Sequence, residues 1–97
     1  MRTVYDKIEG DQIISDDLAL YGTIIGKTTV NSDVLLNLHG TIVGDLILKN
    51  NSKVNLHGTV NGNVINEGGN LKIFGRINGK LIKKGGNTTI DSNAVIN

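Results

Sequence analysis

The chain has no cysteine, no proline and no tryptophan, and its aromatic residues are two tyrosines and one phenylalanine. Without cysteine there is neither a disulfide framework nor a thiolate metal site, which fits a reducing compartment. Cores usually draw much of their buried area from aromatic rings, so a core here has to be aliphatic and efficiently stacked. No stretch approaches the roughly 20 apolar residues of a membrane-spanning helix. The opening residues, MRTVYDKIEGDQIIS, carry Asp6, Glu9 and Asp11 and lack the apolar run of a signal peptide. The expectation is a cytoplasmic protein with no membrane segment.

What is present in abundance is glycine, 13 residues in 97, spaced regularly among aliphatic, Thr and Asn residues at a net charge of +1. That spacing describes repeated turns rather than disorder. One seven-residue phrase recurs: LYGTIIG at 20–26, LHGTIVG at 38–44, LHGTVNG at 56–62 and IFGRING at 73–79. A fixed period of this kind marks a repeat architecture. Aligned on the phrase, the chain divides into rows 4–19, 20–37, 38–55, 56–72 and 73–89 and a partial row 90–97. The rows differ in length only in their Asn, Gly, Asp, Ser and Lys-rich ends, where a loop absorbs the difference.

Within each row apolar residues alternate with period two, the strand signature. Leu20, Leu38, Leu56, Ile73 and Ile90 form one inward column, and Ile8, Ile24, Ile42, Val60, Ile77 and Ala94 a second. Leu46, Val64 and Leu81, with Thr28, form a third, and Leu18, Leu36, Val54 and Leu71 a fourth. Gly22, Gly40, Gly58 and Gly75 recur at one corner, and Gly10, Gly26, Gly44, Gly62 and Gly79 at another. A helical repeat is excluded, because Gly, Asn, Thr and β-branched residues are poor helix formers and no apolar stripe recurs at 3.6. The reading is an all-β, single-domain parallel β-helix of about five coils, three short strands per coil, and about 24 Å long at the 4.8 Å spacing of paired strands. A lone coil buries too little to hold itself, so stability is a sum over neighbouring coils.

The frame LHGTIVGDLIL and LHGTVNGNVIN, apolar-x-Gly-x-apolar-x-Gly-x-apolar at 17 to 18 residues per turn, resembles the bactofilins, bacterial polymer-forming cytoskeletal β-helices. The resemblance covers residues 20–83 and implies a structural protein that assembles end to end. Short bacterial solenoids of this kind are also similar to specific binding proteins, including immunity partners of secreted toxins. A third family, the hexapeptide acyltransferases, is suggested by Ile24, Val30, Leu36, Ile42, Leu48, Val54 and Val60 at a strict period of six. Its small residue after each aliphatic is missing, since Ile25, Val43 and Asn61 stand there.

Candidate chemistry is sparse. His39 and His57 occupy one outward column with Tyr5, Tyr21 and Phe74, followed by Asp91. Two imidazoles suggest a metal or catalytic pair, but no third ligand is evident, Asp45 being the nearest acid. The preferred reading is a stacked surface ladder. Beside it, Ile25 and Val43 in one outward column and Ile47, Ile65 and Ile82 in another suggest a single apolar contact face. Residues 1–19 carry a net charge of 2 − 5 = −3, with Asp11, Asp16 and Asp17 among the acids, and residues 66–97 carry 5 − 2 = +3. Such poles suit a basic partner or head-to-tail self-contact. Ser15, Ser32, Ser52 and Ser92 lack positioned His–Asp companions, and no phosphate loop or nucleic-acid module occurs. The expectation is a non-catalytic protein-interaction module with no cofactor or metal. Its partner is a protein or a second copy rather than nucleic acid, and its contact residues are Tyr5, Tyr21, His39, His57, Phe74, Asp11, Asp16 and Asp17.

Overall fold

A computed structural model describes residues 1–97 in full. Every regular element is a short strand. The first coil is β1 (Arg2–Val4), β2 (Lys7–Glu9) and β3 (Gln12–Ile14), and the second is β4 (Leu18–Leu20), β5 (Thr23–Ile25) and β6 (Thr28–Val30). The third is β7 (Leu35–Leu38), β8 (Thr41–Val43) and β9 (Leu46–Leu48), and the fourth is β10 (Lys53–Leu56), β11 (Thr59–Asn61) and β12 (Val64–Asn66). The fifth is β13 (Asn70–Ile73), β14 (Arg76–Ile77) and β15 (Leu81–Lys83), and β16 (Asn87–Ile90) and β17 (Val95–Ile96) begin a sixth.

Each strand pairs in parallel with the equivalent strand one coil away, which gives three sheets: β1-β4-β7-β10-β13-β16, β2-β5-β8-β11-β14-β17 and β3-β6-β9-β12-β15. The protein is a parallel β-solenoid. Its extents are 28 × 25 × 19 Å, so the expected rod is in fact a squat prism.

The inward columns meet in register. Val4, Leu20, Leu38, Leu56, Ile73 and Ile90 stack along the first sheet, and Gln12, Thr28, Leu46, Val64 and Leu81 along the third. The core is a cluster of 18 buried aliphatic side chains without a single aromatic ring. The second sheet's column reads Ile8, Ile24, Ile42, Val60, Ile77 and then Ile96. Ile96, not Ala94, therefore holds the last rung. Asp91–Ala94 make a wider turn than the x-Gly corner of earlier coils, closed by the Ala94 N–H on the Asp91 carbonyl at 3.0 Å, and this pushes the register on by two. Ala94 still packs against the edge of the core.

The corner glycines answer to the coil beneath them. A Cβ on Gly40 would collide with the carbonyl oxygen of Gly22, and one on Gly22 with that of Asp6. In the first coil the exposed Asp6 stands at the equivalent corner position. At the next corner Gly44 has φ +143°, a backbone that L side chains rarely adopt.

The third corner absorbs the row lengths in two ways. Between β9 and β10 four residues turn, with Asn51 at φ 64° and the buried Ser52 hydroxyl donating to the Lys49 carbonyl at 2.7 Å. Between β12 and β13 only three residues turn. There Asn66 points inward in the column of Val30 and Leu48, fully buried. Its side-chain oxygen accepts the N–H groups of Gly68 at 3.2 Å and Gly69 at 2.7 Å. Its amide nitrogen donates to the carbonyls of Gly69 and Asn87, both at 3.2 Å. The period of six thus runs one step past Val60, to Asn66, before the short corner breaks it.

Candidate functional site

The first corner carries the ring column. Each ring follows the last residue of a first-sheet strand, and the carbonyl of that last residue accepts two N–H groups from the coil above. The Leu20 carbonyl accepts His39 N–H at 2.8 Å and Gly40 N–H at 2.9 Å, and the Leu38 carbonyl accepts His57 and Gly58 N–H, both at 2.8 Å. The same doubled contact joins Val4 to Tyr21 and Gly22, and Leu56 to Phe74 and Gly75. The backbone therefore launches every ring at the same angle, one paired-strand spacing above the last.

The result is one continuous stack. Ring centroids lie 5.2 Å apart for Tyr5–Tyr21, 4.6 Å for Tyr21–His39, 5.0 Å for His39–His57 and 4.7 Å for His57–Phe74. The planes are within 17° of parallel at the first step and within 7° at the others. Ring faces are spent on each other, and the stack ends at Tyr5 and Phe74. Laterally the column offers ring edges, tyrosine hydroxyls and imidazole nitrogens. Ring edges and polar tips suit a protein surface, whereas sugars and bases seek open ring faces.

The histidine pair is part of this stack. Two imidazoles whose planes lie 6° from parallel at 5.0 Å project their nitrogen lone pairs side by side, not toward the common point about 2 Å from each nitrogen that a metal requires. No three His, Asp or Glu side chains converge anywhere in the protein. Asp45 lies at the second corner, where its carboxylate accepts the Asn63 N–H at 2.9 Å. Asp91 does not extend the column as a free acid, because its carboxylate accepts the Asn93 N–H at 3.0 Å.

The remaining expected contact residues lie elsewhere. Asp11 is at the second corner, its carboxylate accepting Lys27 N–H at 2.9 Å, and Asp17 is at the third, accepting Leu35 N–H at 2.9 Å. Asp16 is exposed beside Asp17, in a shallow groove that also involves Arg2. The rings and the acids thus occupy three different corners. The single apolar face expected beside the rings also divides. Ile25 and Val43 lie on the second sheet, across the Thr23, Thr41 and Thr59 column from the rings, while Ile47, Ile65 and Ile82 lie on the third sheet. The cause is the corner at Gly26 and Gly44, which turns the chain from one sheet to the next.

One recurring device escaped the sequence reading. Asp11, Asp45 and Asn63 each follow a corner glycine, and each side-chain oxygen accepts the N–H of the equivalent residue one coil on, Lys27, Asn63 and Lys80 respectively, at 2.9 Å. The signal was a Gly-Asp or Gly-Asn pair in three of the rows. No protein-family model, curated protein or solved structure matches the chain.

Proposed function

We propose that this β-solenoid is a non-catalytic protein-interaction module that presents its ring column to one specific protein partner, in the manner of an immunity-type inhibitor. One observation carries this reading. All three aromatic residues and both histidines of the chain stand in a single surface column, with Tyr5 73%, Tyr21 49% and Phe74 39% exposed. The core is complete without them. Aromatic side chains are the residue class most enriched at binding hot spots, and here every one is directed to solvent on a rigid scaffold. The test is capture of a partner with the purified chain, followed by calorimetric titration against the Tyr21→Ala, Phe74→Ala double variant. Circular dichroism stays native and affinity falls about tenfold or more. Unchanged affinity removes the column from this role, and failure to retrieve any stoichiometric partner removes the function.

A second reading, end-to-end self-assembly, has its own support. β1, β2 and β3 leave unpaired edges at one end, and β16, β17 and β15 at the other. The charge is −3 over residues 1–19 and +3 over residues 66–97, so a basic end meets an acidic end head to tail. Sedimentation against concentration decides it: open-ended growth that salt suppresses is the expected result, and a fixed small mass overturns it.

A further inference from the structure

The outer faces of the three sheets differ. On the first, Asn37 and Asn55 lie at the centre and hydrogen-bond to each other at 2.8 Å. On the second, Thr23, Thr41 and Thr59 stand between Lys7 and Arg76 in one column, and the exposed Ile25 and Val43 stand between Glu9 and Asn61 in the other. On the third, the outward column reads Ile13, Thr29, Ile47, Ile65 and Ile82. Ile13 is 69% exposed, and the other three isoleucines are half-buried, covered in part by one another. A sheet with an aliphatic outer column is half of a sandwich, which a second sheet completes at about 10 Å.

The geometry points to a second copy of this chain as the occupant, packed third sheet on third sheet with the two solenoid axes antiparallel. The column is nearly symmetric about Ile47. A two-fold axis there places Ile47 on its own copy, Ile13 against Ile82 and Thr29 against Ile65. Charge at the two ends of the strip favours the antiparallel direction. Asp11 on the first coil and Lys80 on the fifth occupy the same flanking column, linked rung by rung through Lys27, Asp45 and Asn63. The two-fold brings Asp11 of one copy to Lys80 of the other, and Asp16 toward Lys84. A parallel pairing sets Lys80 beside Lys84 and Asp11 near Asp16. At the centre it opposes Asp45 to Lys49, where the two-fold opposes Asp45 to Asp45 and Lys49 to Lys49, so the preference for the antiparallel direction comes from the two ends of the strip. Beside the centre of the strip, Lys49 is already paired with Glu67 at 3.2 Å. The strip is about 24 Å long over five coils and about 10 Å wide, roughly 240 Å², well short of the roughly 800 Å² per partner of a standard interface, so the contact belongs to the weak, transient class. Because the same patch is used on both copies, association stops at two.

This contact uses a different surface from the ring column and from the solenoid ends, and it is tested separately. Sedimentation velocity from about 10 µM to about 1 mM is expected to show monomer passing to dimer and no further. Added salt shifts the balance to monomer, and Ile65→Lys weakens dimerisation at least tenfold with circular dichroism unchanged. The chain has no cysteine of its own, so single cysteines report the register even if Ile65→Lys folds poorly. With a short bismaleimide reagent Ile47→Cys links to itself, and Ile13→Cys links to Ile82→Cys but not to Ile13→Cys. A monomer throughout the range overturns the inference, as does Ile13→Cys linking to itself. Growth beyond two that Ile65→Lys leaves intact also overturns it and supports end-to-end assembly instead. None of these outcomes bears on the ring column, which is read by partner titration.

Discussion

The buried side-chain oxygen of Asn66 accepts the backbone N–H of Gly69 at 2.7 Å, so a polar residue inside the core holds the three-residue corner between β12 and β13. The coil below has Leu48 in that place, and replacing Asn66 with leucine raises the apolar content of the core. It also strips the acceptor from the N–H groups of Gly68 and Gly69. An unsatisfied buried donor costs about 1–3 kcal/mol, more than the added contact returns in a three-residue corner. Asn66→Leu is therefore expected to destabilise by about 2 kcal/mol or more, read as a lower midpoint in urea unfolding. A higher midpoint would show that the corner needs no bracket.

Thr28 presents the opposite case. Its hydroxyl is fully buried and has no hydrogen-bond partner, in a column whose next rung is Leu46. Valine has nearly the same shape and suits a strand. Thr28→Val is expected to stabilise by about 1–2 kcal/mol, seen as a raised melting temperature with an unchanged urea m-value. Destabilisation would mean that the hydroxyl is satisfied in solution.

The corner glycines give a paired test. A Cβ on Gly40 meets the carbonyl oxygen of Gly22, which is backbone and cannot turn aside. Gly40→Ala forces two coils apart and is expected to cost about 4 kcal/mol or more. Asp6 holds the same corner in the first coil and is exposed, and Asp6→Ala is expected to change stability by no more than about 0.5 kcal/mol. Equal effects at the two positions would contradict the stacking account.

These contrasts show where the sequence was readable. Inward columns were legible because the alternation of Leu38 and Ile42 is the same in every complete row, and a β-strand converts that alternation directly into inside and outside. The ring stack was legible for the same reason, five rungs at one row position. Register at the last rung was not, because the turn at Asp91–Ala94 replaces the glycine corner and its extra residues are invisible to a pattern built on glycine. Asn66 was hidden by its type, since a polar residue before Gly-Gly reads as part of a loop. The grouping of outward residues into faces was hidden too. Val43 and Ile47 are four positions apart, yet a corner between them sends one to the second sheet and the other to the third.

Stability in a stacked coil is a nearest-neighbour sum, so position along the axis decides what a core charge does. Ile42 lies in the third coil between Ile24 and Val60 and is fully buried, whereas Ile96 contacts only the rung of Ile77. A carboxylate in place of Ile42 has no partner and no route to water. It breaks the contacts of both halves, and neither half retains enough coils to stand alone. Ile42→Asp is expected to lose the native circular dichroism entirely, a cost beyond about 5 kcal/mol. In Ile96→Asp only the last partial coil frays, and amide hydrogen exchange is expected to remain slow from Leu18 to Ile77 while the N–H groups of Val95 and Asn97 exchange freely. If Ile42→Asp keeps a native spectrum, residue 42 does not face the core; if Ile96→Asp unfolds the whole chain, the coils are not coupled through neighbours alone.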